Sequence, residues 1–276
     1  GNARSYEKTL DKRVYDHYMQ KGKEAEDIKE TLARRLHDHA ITDALYDFLC
    51  HYPETKIVAI MGGHDLSRND SNYFEVARIS QCLTEKGYLM ISGGGPGAME
   101  ATHLGAWFAN QDPSLLHEAI AILSQAPTYK HPLWLDKAFE VMHKFKGSEY
   151  KSLGIPTWFY GHEPPTPFAT HIAKYFENSI REDGLLAIAK GGVIFSPGNA
   201  GTIQEIFQDA AQNHYQSFGI SSPMVFFNSH YWTHEIPVYP LLQSLSIQGK
   251  YRNMLLSCCD TQEEVLTEIT QFTQNS

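Results

Sequence analysis

The residues best equipped for chemistry gather in glycine-rich turns, and the fullest of these lies within residues 191–211, GGVIFSPGNAGTIQEIFQDAA. Val193, Ile194 and Phe195 make a short apolar run bounded by Gly and Pro, the signature of a buried parallel strand. The run enters a turn of Pro197, Gly198, Asn199, Ala200 and Gly201, and a helix opens at Thr202 with Glu205 one turn in. Such a turn aims backbone N–H groups at one point, and the helix N-terminus adds the positive end of its dipole. The guest this suits is an anion, phosphate first. The Thr202 hydroxyl can add a hydrogen bond. Glu205 cannot hold an anion, so a carboxylate in that place points to chemistry on a phosphorylated substrate. An ordinary strand-to-helix turn with a capping Thr uses the same residues, and this turn alone leaves both readings open.

Two more turns join it. Residues 88–91 read as a strand running into SGGGPGAME at 92–100, where Ser92, Gly93, Gly94, Gly95 and Gly97 let backbone approach a ligand closely. Residues 56–61 read as another strand ending in Gly62, Gly63, His64 and Asp65, at the strand end where open α/β sheets bind ligands. A dinucleotide-binding oxidoreductase is the first class to test, and it fails. Its fingerprint needs G-x-G-x-x-G after the first strand and an acid at the tip of the second; this chain has GGHD and SGGGPGAME there.

These turns need a sheet to hold them. Further strands are expected at 117–123, 155–160 (an edge strand, where Pro156 is tolerated), 224–227 and 254–258, with helices at 73–86, 101–109, 168–190, 232–246 and 261–272. Thr261 and Glu264 have capping-box spacing. Alternation of strands and helices from residue 56 predicts an α/β fold with a parallel sheet covered by helices on both faces. Residues 1–52 form an N-terminal helical arm, continuous over 6–48, and 53–276 the main domain. Ile28, Leu32, Leu36, Ile41, Leu45 and Leu49 give the arm an apolar stripe that needs a partner. His37 and His39 diverge on a helix and read as surface residues. Residues 124–154 mix aromatics with lysines and read as a surface helical insertion, with a lid over an anionic substrate as the alternative.

Composition bounds the function classes. A formal net charge of −9 argues against nucleic acid as the partner, since binding a phosphate backbone needs a basic surface. The four cysteines show no metal-ligand spacing, and the pair Cys258 and Cys259 falls in an apolar run, which fits a reducing compartment. No run is long and apolar enough to span a bilayer and no signal peptide is visible, so a cytoplasmic protein without a membrane partner is expected.

Taken together, SGGGPGAMEATHLGA at 92–106 and PGNAGTIQE at 197–205 resemble the LONELY GUY family, once labelled "possible lysine decarboxylase". The resemblance covers about residues 56–272 and extends to SPMVFFNSHYW at 222–232, which is similar to the family's strand-Asn-x-x-Tyr segment. It implies a modified Rossmann fold and hydrolysis of the N-glycosidic bond of nucleoside 5′-monophosphates, giving free base and ribose 5-phosphate. An AMP-like substrate and a dimer-based homo-oligomer are implied with it. The family's catalytic glutamate falls on Glu205 and its catalytic arginine on Arg181. Gly93, Gly94, Gly95, Gly97, Gly198, Gly201 and Thr202 match its phosphate and ribose contacts, with Gly62, Gly63, Ser92, Pro197, Asn199 and Ala200 beside them. Asn199 stands where the family has Gly, a place where Asn tolerates left-handed backbone. Gln204 replaces a common Glu, and Glu182 replaces a Lys that usually follows the arginine.

Positive charge builds on the ribose as the base departs, and a carboxylate near the anomeric carbon can stabilise it and orient water. Arg181 can hold phosphate or ribose oxygens with its fork of donors. Asp65 and Glu100 are candidates for a ribose hydroxyl, and His64, His103 and His162 for the proton that the leaving base needs. No metal or redox cofactor is called for, and nothing marks the pyridoxal lysine of a decarboxylase. Two competing classes remain: a nucleotide-binding sensor or carrier without turnover, and an interaction protein working through its arm.

Overall fold

Short apolar runs become the strands of one seven-stranded sheet in the computed structural model, which describes residues 6–160 and 164–275. In chain order, the arm contributes α1 (Leu10–Lys21) and α2 (Ile28–Leu49), and a 3-10 turn at Glu54–Lys56 leads into β1 (Ile57–Met61). Then come α3 (Ser71–Glu85), β2 (Leu89–Ser92), α4 (Ala98–Trp107), α5 (Pro113–Leu123), α6 (Trp134–Lys144), β3 (Ser152–Gly154) and β4 (His171–Ile172). The second half runs α7 (Asn178–Ile188), β5 (Gly192–Phe195), α8 (Ala200–Tyr215), β6 (Pro223–Phe227), α9 (Val238–Ile247), β7 (Leu255–Cys259) and α10 (Gln262–Asn275).

Helix starts follow local chemistry. Asp27, Asp70 and Asp112 accept the N–H groups of Lys29, Asn72 and Ser114 and so satisfy donors the first turn leaves over. At α10, Glu264 N–H donates to Thr261 Oγ1 while Thr261 N–H donates to Glu264 Oε2, the reciprocal pair expected from the spacing.

The sheet order is β4-β3-β2-β1-β5-β6-β7, and every pairing is parallel. Strand order reverses between β1 and β5, so the crevice that open α/β sheets use for ligands lies beyond the C-terminal ends of those two strands. Side chains alternate across the sheet with period two. Val58, Ile60, Met90, Ile194 and Val225 pack with α3, α4, α5 and α10, while Ile57, Ala59, Met61, Val193 and Phe195 pack with α7, α8 and Leu45 and Leu49 of α2. The second half of the arm thus covers one face of the sheet.

Four expectations are corrected. The arm helix is interrupted: Gly22 takes φ +84° and the chain restarts at the Asp27 cap. Residues 117–123 are helical, because Asp112 and Pro113 start α5 and Leu116, Ala119 and Leu123 then share its buried face. The edge pairing falls on β3 and β4 rather than on 155–160. Past Gly154 the register is broken at Pro156, whose ring nitrogen has no hydrogen to donate, and only an isolated bridge between Thr157 and Tyr175 follows. Finally, the helix expected over 168–190 begins at Asn178, since His171 and Ile172 pair with β3. Residues 124–154 accordingly contain α6 and a strand of the sheet itself.

Candidate active site

The three turns meet at the C-terminal ends of β1, β2 and β5 and are stitched together through backbone. Gly63 N–H donates to the Pro197 carbonyl at 3.0 Å, and Ala98 N–H donates to the Gly63 carbonyl at 3.1 Å. Gly97 has φ +69°, and a Cβ there would strike the Gly63 carbonyl, so this junction needs glycine twice over. Gly198 is held as closely: a Cβ would run into the Thr202 hydroxyl and lie 2.9 Å from Gly63 N. The Tyr231 hydroxyl donates to the Gly198 carbonyl at 2.8 Å and orients the turn from the β6 side. Asn228, at φ +77°, accepts the Tyr231 N–H at 3.0 Å, which explains the Asn-x-x-Tyr spacing noticed in the sequence.

At the start of α8 the N–H groups of Ala200, Gly201 and Thr202 lie outside the i to i−4 ladder, and the Asn199 side chain makes no cap. These donors, with the helix dipole behind them, are groups of the kind that suit an anion. Asn199 itself has φ −96°, so its backbone is not left-handed and the replacement of glycine needs no such tolerance. Its amide instead donates to the Asp65 carboxylate at 3.3 Å, tying the β1 loop to the β5 turn. Ala200 and Gly201 are exposed, whereas Thr202 is buried.

Arg181 and Glu205 come from different helices and converge. Arg181 is buried on α7; its Nε donates to the Ile155 carbonyl at 2.8 Å. Its Nη2 packs on Gly93, where a Cβ would lie only 2.6 Å away. Arg181 Nη1 stands 4.0 Å from Glu182 Oε2. Burial pushes the Glu205 carboxyl up from the ordinary 4.5 to about 7; the Arg181 charge pulls it back, and the Glu182 charge adds to the rise. Glu182 is buried with one oxygen unpartnered, and Asn178 Nδ2 donates to the other at 2.9 Å. A carboxyl poised near neutrality within electrostatic reach of a buried arginine is suited to acid–base work at pH 7.

Other sequence candidates lie elsewhere. Glu100 is fully buried and held by core partners: Arg68 Nε donates to its Oε2 at 2.8 Å, and so does the Tyr73 hydroxyl at 2.9 Å. It serves as the anchor of a core ion pair, a role invisible in the motif because Arg68 lies 32 positions away. His103 is buried between Ser92 Oγ at 2.8 Å and Ser152 Oγ at 3.0 Å, and burial drives its pKa down to about 3. Ser92 also accepts the Gly94 N–H at 3.1 Å, and Gly95 N–H points at Met99 Sδ, so this turn is braced from within. His64 is exposed, packed near the Tyr129 ring. His162 lies outside the described residues. Ser196 was missed: its Oγ is buried without a partner, next to the place a Gly62 Cβ would occupy.

No protein-family model matches the chain, and no curated protein matches it. Solved structures do. The molybdenum cofactor binding protein from the phototrophic bacterium Rippkaea orientalis superposes with a TM-score of 0.50 and 12% identity, over 79% of this chain and 96% of that one. The Moco carrier protein from Chlamydomonas reinhardtii gives 0.49 and 12%, over 80% and 98%. The X-ray structure of TM1055 gives 0.48 and 20%, over 78% and 98%. At these identities the likeness is one of fold. That fold is a Rossmann-like α/β one, an all-parallel sheet with helices around it, as the alternation of strands and helices predicted.

Proposed function

We propose that this protein hydrolyses the N-glycosidic bond of a nucleoside 5′-monophosphate, releasing free base and ribose 5-phosphate. The observation that carries the reading is the convergence of Arg181 on α7 with Glu205 on α8, within one turn of helix from the free N–H groups at Ala200–Thr202. The 5′-phosphate sits on those N–H groups and the Thr202 hydroxyl. Arg181 holds phosphate or ribose oxygens. The Glu205 carboxylate then stabilises the cationic ribose and takes the proton of the attacking water, whose oxygen bonds the anomeric carbon as the glycosidic C–N bond breaks, and that proton passes through solvent to the departing base. Incubation with a panel of nucleoside monophosphates and assay of free base tests this directly; AMP is the first substrate to try. Release of base from AMP but not from adenosine is the expected result.

A second reading, binding of a phosphorylated ligand without turnover, is favoured by the departures Asn199 and Gln204 and by the name of the Rippkaea protein, which is that of a cofactor-binding protein. Tight AMP binding with no base released from any nucleotide selects it. The arm leads us to propose a homodimer as well. Ile28, Leu32 and Leu36, four residues apart on α2, are 68, 53 and 67% exposed, a row of large apolar side chains facing outward.

A further inference from the structure

We infer that Asp38 of the N-terminal arm is a positioning residue for Arg181, so that the arm is part of the site's machinery. The inference rests on the reading of Arg181 as a substrate-binding group, and the arm's action on it is legible in the geometry. Helix α7 begins without a side-chain cap of its own: Glu177 occupies the cap position and makes no such bond. The cap comes from elsewhere in the chain. Asp38 is 1% exposed; its Oδ1 accepts the Phe176 N–H at 3.0 Å and its Oδ2 accepts the Glu177 N–H at 2.9 Å. The carboxylate thus pins the two backbone N–H groups by which the chain enters the helix, and its charge complements the dipole; His37 Nδ1 lies 3.0 Å from the same Oδ1. Arg181 lies one turn further on, its N–H donating to the Glu177 carbonyl at 3.2 Å as one of the first bonds of the helix.

The same clamp governs the other side of the guanidinium. Arg181 Nε is held by the Ile155 carbonyl, and the segment after Ile155 is held by Tyr175: Tyr175 N–H donates to Pro156 O at 3.0 Å and Trp158 N–H to Tyr175 O at 3.1 Å. Tyr175 immediately precedes the two residues that Asp38 grips. The rest of the arm reinforces the grip. Asp11 accepts Trp158 Nε1–H at 2.9 Å and pairs with Lys174 at 2.7 Å, Arg34 lies over the Phe176 ring, and Arg35 pairs with Glu177. The backbone that carries Arg181 is therefore anchored directly on the Asp38 carboxylate, and the segment after the carbonyl that orients Arg181 is linked to the same anchor through Tyr175, while Ile155 N–H itself donates to Ser92 O at 2.8 Å.

The test is Asp38→Asn, which keeps size but removes the charge and one acceptor, beside Arg181→Ala and the double variant. Three results are expected. Amide exchange at Phe176 and Glu177 rises about tenfold or more, as loss of a cap predicts, while strands β1 and β5 stay protected. The Arg181 Nε–H resonance, assigned by its loss in Arg181→Ala, exchanges faster with solvent. The specificity constant for AMP falls about tenfold in the parent background but less than about twofold when Arg181 is already alanine, the mark of coupled residues. A purely structural Asp38 would lower activity equally in both backgrounds, and that result overturns the inference. Unchanged exchange at Phe176, Glu177 and the Arg181 Nε–H overturns it too, whether or not the protein is an enzyme. If the parent releases no base, the hydrolytic reading fails separately, and the exchange measurements still decide the role of Asp38. Should Asp38→Asn not fold, Asp38→Glu, which keeps the charge one methylene out of place, takes its place with the same expectations.

Discussion

Replacing Glu205 by Gln separates the two things a raised carboxyl does. In the folded protein burial holds this group at about 7 against an ordinary 4.5. A carboxyl whose folded pKa is raised binds its proton more tightly in the native state. The native state is therefore favoured below pH 4.5 and progressively disfavoured as pH rises through 7. At about 1.4 kcal/mol per pH unit, the charged form costs up to about 3 kcal/mol of stability above neutrality. Glu205→Gln carries no charge at any pH. Its melting temperature should match the parent near pH 4.5 and exceed it by several degrees, on the order of 5 °C, at pH 8.5. Turnover should move the other way. Loss of the charge that stabilises a cationic ribose should reduce single-turnover base release about 100-fold or more, with AMP affinity little changed. The parent's specificity constant should rise with pH through about 7 as the carboxylate forms. The assay is single-turnover hydrolysis of AMP from pH 5 to 9 beside thermal unfolding of both proteins over the same range. A Gln variant that hydrolyses AMP as fast as the parent refutes the assignment. One that is less stable than the parent at pH 8.5 refutes the account of why the pKa is raised.

Other outcomes follow from the same contacts. Gly93→Val drives a branched side chain against Arg181 Nη2 and Met99 Sδ, so AMP affinity should drop about tenfold or more and stability by about 1–3 kcal/mol; calorimetry with AMP and adenosine beside urea unfolding checks it, and equal loss for both ligands would mean that phosphate is not what Arg181 reads. Gly97→Ala should lower stability by about 2–4 kcal/mol in urea unfolding, because it combines a positive φ with a collision against backbone. Glu100→Gln leaves Arg68 buried beside an amide and should cost about 3–5 kcal/mol, against the near-neutral effect expected of a solvent-facing ribose contact. Light scattering at micromolar concentration should show a dimer that Leu32→Glu and Leu36→Glu convert to monomer.

The local grammar of this chain was legible from residue types alone. The apolar runs at 56–61, 193–195 and 224–227 became β1, β5 and β6 within a residue at each end, and Thr261 with Glu264 formed the reciprocal cap their spacing predicts. Glycines at 97 and 198 announced close backbone approach, and that is where the turns touch. The same grammar misread 117–123, since a short apolar run has no period of its own until Asp112 and Pro113 declare a helix start. What the tertiary structure alone decided is who faces whom. Glu100 and Glu205 are both carboxylates in glycine-rich motifs, yet one is consumed by Arg68 and the other stands near Arg181 with its pKa raised. Asp38 draws no notice in the sequence of the arm, yet its carboxylate holds the backbone entering a helix 138 and 139 positions away. A side chain's environment is set by residues distant along the chain, and burial, which moves a carboxyl from 4.5 to about 7, exists only once the sheet has gathered them.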